Sequence, residues 1–103
     1  MIKHIADVQE FNNEIKNGVH LVDFFATWCG PCKMLTPVLE EADEKGTLND
    51  VSIIKIDVDQ ASDLAGEYHI NAVPTLLLFK DGVLIKKVMG YQNINQLKEF
   101  CKI

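Results

Sequence analysis

The sequence predicts an α/β fold, a central mixed β-sheet flanked by helices on both faces, and three observations predict it. Strand-like apolar runs alternate with helix-period segments along the 103 residues, in the order β-α-β-α-β-α-β-β-α. The segments joining the first three strands are long enough to be crossovers, which parallel pairing requires. The last two strands are separated by Asp81-Gly82 alone, a dipeptide that closes a tight antiparallel hairpin.

Ile2 to Ile5 is a short first strand. Asp7 with Glu10 three residues on is a capping-box pair, and Val8, Phe11 and Ile15 follow at helical spacing until Gly18 closes the helix. His20 to Ala26 is the second strand, rich in β-branched and aromatic residues fit for burial. A helix then runs from Cys29 to about Lys45 with Leu35, Val38, Leu39 and Ala42 on one side, and Gly46 ends it. Pro37 is expected to interrupt and bend this helix, because it lacks an N–H and its ring clashes with the preceding turn. Val51 to Val58 is a third strand, with Ile54, Ile56 and Val58 on one face and Ile53, Lys55 and Asp57 on the other. A short helix spans about Ser62 to Tyr68, the chain turns at Val73-Pro74, and Thr75 to Lys80 and Val83 to Met89 form the hairpin. Gly90 breaks the last strand, and Asn93 with Gln96 caps a final helix presenting Ile94, Leu97, Phe100 and Cys101. No repeat, linker or low-complexity segment divides the chain, so residues 1–103 are expected to form one domain.

At 48% hydrophobic residues the chain has enough apolar side chain for a real core. Its net charge is −5, and all ten basic residues are Lys, so a basic patch and bidentate phosphate readers are both missing. Nucleic acid is therefore not an expected partner. The N-terminal stretch Met1-Ile2-Lys3-His4-Ile5-Ala6-Asp7 holds no sustained apolar segment, and no run elsewhere approaches membrane-span length. That points to the cytoplasm, where three cysteines do not make a stabilising disulfide framework and a close pair is more suited to working chemistry.

The pair is Cys29 and Cys32, placed where a strand hands over to a helix. The first turn of a helix carries unpartnered N–H groups and the positive end of the helix dipole, and both favour thiolate over thiol. With Cys29 as N-cap, Pro31 has no N–H to offer its sulfur, so the remaining first-turn donor is Cys32. Residues three apart on a helix share nearly one face, and the spacing suits a disulfide that opens and closes. A zinc site would need a second pair of ligands, yet His4, His20 and His69 are isolated and no second Cys-x-x-Cys exists. Asp23, between Val22 and Phe24 in an apolar strand, either reaches water or is buried with a raised pKa.

Trp28-Cys29-Gly30-Pro31-Cys32-Lys33, preceded by Asp23, resembles the thioredoxin family, and the likeness extends over the whole element order. The resemblance implies a thioredoxin fold and a protein-disulfide reductase in which Cys29 is the nucleophile and Cys32 resolves. It implies a buried Asp23 as proton acceptor and donor for Cys32, with Lys55 beside it to modulate it. Trp28, otherwise a large core residue, would shield the cysteines at the surface. Trp28, Gly30, Pro31, Val73, Pro74 and Gly90 would meet the substrate, with Val73-Pro74 cis as in the family's Val-Pro-Thr motif and Gly90 letting the substrate chain approach. No bound cofactor is expected: the redox centre is the Cys29–Cys32 disulfide, reduced by thioredoxin reductase with electrons from NADPH, and this chain has no Gly-rich dinucleotide loop of its own.

The expected partners are that reductase and disulfide-containing proteins, met by a monomer with no membrane contact. Thr27, Asn71, Ala72 and Tyr91 depart from the family's usual pattern at the rim, where they bear on partner preference. Cys101 is a small core residue on the last helix, with a regulatory thiol as the alternative reading. The resemblance also implies that Gly30-Pro31 between the cysteines disfavours an oxidant or isomerase, since oxidants of that superfamily commonly carry His there. The rival from another class is a redox-silent binding subunit that uses the same fold as a scaffold.

Overall fold

A computed structural model describes residues 2–103. Its elements are β1 (Ile2–His4), α1 (Val8–Ile15), β2 (Val19–Phe25), α2 (Gly30–Lys45), β3 (Val51–Asp57), α3 (Ser62–Glu67), β4 (Thr75–Lys80), β5 (Val83–Met89) and α4 (Ile94–Phe100). The expected order is reproduced element for element. The strands form one mixed sheet in the order β1-β3-β2-β4-β5, in which β3 runs parallel to both β1 and β2, and β4 runs antiparallel to β2 and β5.

Strand alternation divides the core between the two faces. Val22, Phe24, Ile54, Ile56, Leu77 and Phe79 meet Phe11 and Ile15 of α1 and Leu64 of α3. Their neighbours Leu21, Ile53, Leu76 and Leu78 point the other way, onto Leu35, Leu39 and Ala42 of α2 and Leu97 of α4. Asp23 and Lys55 have the same parity as Leu21 and Ile53. They therefore belong to the face that α2 covers.

Local chemistry sets the ends of the elements. The Asp7 carboxylate accepts from the Glu10 N–H at 2.9 Å, the first half of the expected capping box. At α4 both halves close: Asn93 Oδ1 accepts from the Gln96 N–H at 2.8 Å, and Gln96 Oε1 accepts from the Asn93 N–H at 2.9 Å. Replacing Asn93 by Ala is expected to cost about 1 kcal/mol in denaturant melts by removing this cap. Gly46 ends α2 with φ 64, a left-handed conformation that glycine adopts without a Cβ penalty. Asp81 and Gly82 both have positive φ, 49 and 84, as a tight two-residue hairpin turn requires.

The interruption expected at Pro37 is absent. Pro37 lies inside α2, and the helix continues through it from Gly30 to Lys45. The buried side chains Leu35, Leu39 and Ala42 on either side hold both halves against the sheet. Pro37 itself is exposed, so the packed face of the helix is spared its ring. The bounds of β1, α1, β2, β3 and α3 differ from expectation only at their ends, where β1 stops at His4, α1 closes before Gly18, β2 runs over Val19–Phe25, β3 stops at Asp57 and α3 at Glu67.

Candidate active site

Cys29 caps α2, and the Cys32 N–H donates to Cys29 Sγ at 3.2 Å, the donor left once Pro31 is excluded. The two cysteines form a disulfide with Cα atoms 5.3 Å apart, within the ordinary span of such a bridge. Relative exposure is 5% for Cys29 and 2% for Cys32, so in this oxidised form both are covered and the outer one only slightly less. Ala26, Phe25, Val58 and Val73 pack around them. The pair lies beyond the carboxyl end of β2, the edge where open α/β sheets collect their reactive groups.

Val73 approaches the pair from the opposite side, its carbonyl oxygen 3.6 Å from Cys29 Sγ. A disulfide sulfur carries no proton, so this is a contact that becomes a hydrogen bond only when Cys29 is a thiol. The Val73-Pro74 peptide is cis, as the resemblance implied. The Pro74 carbonyl accepts from the Gly90 N–H at 2.8 Å, which brings the end of β5 beside the same loop. Gly90 has φ 93, and the space its missing Cβ would occupy is open. A side chain there would be strained by the backbone and would stand in that opening. Gly30 and Pro31, the first two residues of α2, are exposed beside the cysteines.

Trp28 is not a core residue. It is 69% exposed, and its indole N–H donates to the Asp59 carboxylate at 2.9 Å. With Val58, Ile70, Asn71, Ala72 and Val73 it lines a groove of about 490 Å³ next to the disulfide. Asp59 has no place in the sequence-based site, because the only signal for it is an acid just past the end of β3. Two of the rim departures, Asn71 and Ala72, sit in this groove.

Asp23 is buried completely, and neither carboxyl oxygen has a hydrogen-bond partner among the described residues. This decides between the two sequence-level alternatives. Burial raises its pKa from 3.8 to about 7, opposed by the positive charge of Lys55. Lys55 occupies the cross-strand position paired with Asp23 and is itself buried. Its ammonium does not sit on the carboxylate: it donates to Thr36 Oγ1 at 2.8 Å and lies 4.6 Å from the centre of the Phe25 ring. Lys55, Thr36, Phe25, Lys33 and Cys32 line a small cavity of about 190 Å³. Cys101, just past the end of α4, is half-buried against the α2-side core, and burial pushes its thiol up to about 11. That suits a packing role and a poor nucleophile at neutral pH. No cluster of His, Cys, Asp and Glu among the described residues could hold a metal ion.

The thioredoxin family model matches residues 2–103. The chain belongs to the thioredoxin family. A thioredoxin of Staphylococcus aureus is 48% identical over 92 residues, covering 87% of this chain and 86% of that one. The oxidized mitochondrial thioredoxin 3 of Saccharomyces cerevisiae is similar in structure with a TM-score of 0.85 at 41% identity, covering 96% of this chain and 92% of that one. The thioredoxin of Malassezia sympodialis gives 0.88 at 36% identity, with 97% and 89% covered. A family match over the chain, together with a closed Cys29–Cys32 pair, makes this protein a thiol–disulfide oxidoreductase acting as a protein-disulfide reductase. The redox-silent scaffold loses its support.

Proposed function

We propose that this protein reduces disulfides in other proteins with Cys29 as attacking thiolate and Cys32 as resolving thiol. The observation that carries this assignment is the bond from the Cys32 N–H to Cys29 Sγ, which aims a first-turn donor of α2 at the outer sulfur. Cys29 attacks one sulfur of the substrate disulfide, forming a mixed disulfide and expelling the other sulfur as a thiolate. Asp23 then takes the proton of Cys32. Cys32 attacks Cys29 Sγ, the Cys29–Cys32 bond forms, and the second substrate sulfur leaves. Two electrons pass from the protein to the substrate in the cycle.

Asp23 fits this work because it lies on the sheet face that α2 covers, its carboxyl has no hydrogen-bond partner among the described residues, and its pKa of about 7 lets it exchange a proton near neutral pH. Lys55, its cross-strand neighbour, moderates that affinity. Trp28, Gly30, Pro31, Val73, Pro74 and Gly90 receive an extended substrate segment along the groove, the Val73 backbone pairing with it as in strand addition. Tyr91 and Thr27, at the rim with Asn71 and Ala72, tune which segments fit.

The oxidised pair returns to dithiol through thioredoxin reductase, which draws on NADPH, and the protein works as a cytoplasmic monomer built of one domain, 1–103. Among the described residues no helix is long and apolar enough to cross a membrane.

Insulin reduction by dithiothreitol tests the activity. Added protein should accelerate precipitation of the insulin chains well beyond dithiothreitol alone, and Cys29→Ser should abolish the acceleration. An unchanged precipitation rate with the intact protein would sink the proposal.

A further inference from the structure

Thr36 stands one turn past Cys32 on α2, and its hydroxyl makes two bonds at once. It donates to the Cys32 carbonyl at 3.1 Å and accepts from the Lys55 ammonium at 2.8 Å. One hydroxyl can do both, with its single proton and its lone pairs. Lys55 is directly across from Asp23 on the neighbouring parallel strand, with both side chains on the α2 face. Adjacent strands are only about 4.8 Å apart, so a lysine chain can easily set its ammonium on a carboxyl in that position.

It does not do so here. No ion pair joins the two among the described residues, and both Asp23 oxygens lack a hydrogen-bond partner. A buried ammonium and a buried carboxyl left apart at adjacent positions forgo their mutual attraction, which is stronger away from water. The contacts that hold the ammonium elsewhere are the Thr36 hydroxyl and the face of Phe25.

We propose that Thr36 is a positioning residue that anchors the Lys55 ammonium on α2, away from the Asp23 carboxyl, and thereby limits the positive charge this carboxyl meets. For its catalytic consequence the proposal rests on the reading of Asp23 as the proton partner of Cys32. The other ionisable groups on this side are few. β3 brings Lys55 and Asp57, β1 brings His4 against Phe25, and α2 brings Cys32 and Lys33. β4 and α4 contribute apolar Leu76 and Leu97. Of these, Lys55 is the cation paired in register with Asp23.

The test follows the Asp23 carboxyl carbon by NMR against pH in the oxidised protein. Wild type, Thr36→Val and Thr36→Ser are compared, each with and without Lys55→Met. Thr36→Val keeps the shape of the side chain and deletes the hydroxyl, and Thr36→Ala serves if the valine does not fold. Losing the hydroxyl should lower the Asp23 midpoint by about one pH unit, as an opposite charge moving to within hydrogen-bonding range does. Thr36→Ser should restore the wild-type midpoint, which a purely packing role for the threonine methyl would not predict. Lys55→Met should raise the midpoint more in the Thr36→Val background than in wild type. An unmoved midpoint in Thr36→Val, or equal Lys55→Met effects in both backgrounds, would overturn the proposal. The pH midpoint for resolution of a mixed disulfide should follow the carboxyl. If the carboxyl shifts and that profile does not, the positioning by Thr36 stands and the proton-partner role of Asp23 falls.

Discussion

Asp23→Asn is expected to make the folded protein more stable at pH 8 by about 2–4 kcal/mol while slowing disulfide exchange. The carboxyl is fully buried, without a hydrogen-bond partner among the described residues, and its pKa is raised by burial from 3.8 to about 7. For an acid whose folded pKa lies above its unfolded value, ionisation is harder in the native state than in the unfolded chain. The resulting loss of stability is absent below pH 3.8, grows between 3.8 and about 7, and is complete above that. Over that interval the cost reaches about 4 kcal/mol at 1.4 kcal/mol per pH unit, and an amide that must itself be buried returns only part of it.

Lys55 does not offset the gain by being stranded, because its ammonium keeps Thr36 Oγ1 and the Phe25 ring. Denaturant titrations of both proteins at pH 4 and pH 8 check the sign. The variants should nearly coincide at pH 4 and separate at pH 8, with wild type the weaker. Equal stability at pH 8, or a less stable Asn variant, would show that Asp23 ionises without penalty. In the same preparations, resolution of a mixed disulfide should be slower in Asp23→Asn, since an amide cannot take the Cys32 proton.

The second large effect separates the two thiols. Cys32→Ser, with Cys101→Ser to remove the remaining thiol, should react with a protein disulfide and stall as a covalent complex that dithiothreitol releases. Cys29→Ser in the same background should form roughly tenfold less complex in the same time near neutral pH, since thiolate stabilisation at a helix N-terminus of about 1 kcal/mol or more is lost along with the outer sulfur. Exposures of 5% and 2% differ too little to enforce this order by access alone, so the prediction leans on the helix terminus. Non-reducing gels and intact mass of the two variants with one disulfide substrate make the comparison. Equal trapping, or trapping by Cys29→Ser alone, would reverse the assigned order of attack.

What the sequence by itself determined is local. The caps at Asp7, Cys29 and Asn93, the glycine stop at Gly46, the Asp81-Gly82 turn, the apolar run of β2 and the alternation in β3 all act within a few residues, so spacing and residue type suffice to find them. The disulfide belongs here too, because three helical positions bring its sulfurs together without help from the rest of the chain. Pro37 shows the limit of such reasoning: a breaker is overridden when apolar residues on both sides are held by a sheet.

Only the tertiary structure decided the strand order, in which β3 lies between β1 and β2 and sets Lys55 beside Asp23. It also brought Asp59 to Trp28 and the Val73 carbonyl to Cys29, pairs separated by 31 and 44 positions. Above all it chose among partners: a buried lysine next to a buried aspartate turns to a threonine hydroxyl and an aromatic ring. Which neighbour a long side chain selects depends on the packing of several elements at once, and no spacing along one strand or helix encodes that choice.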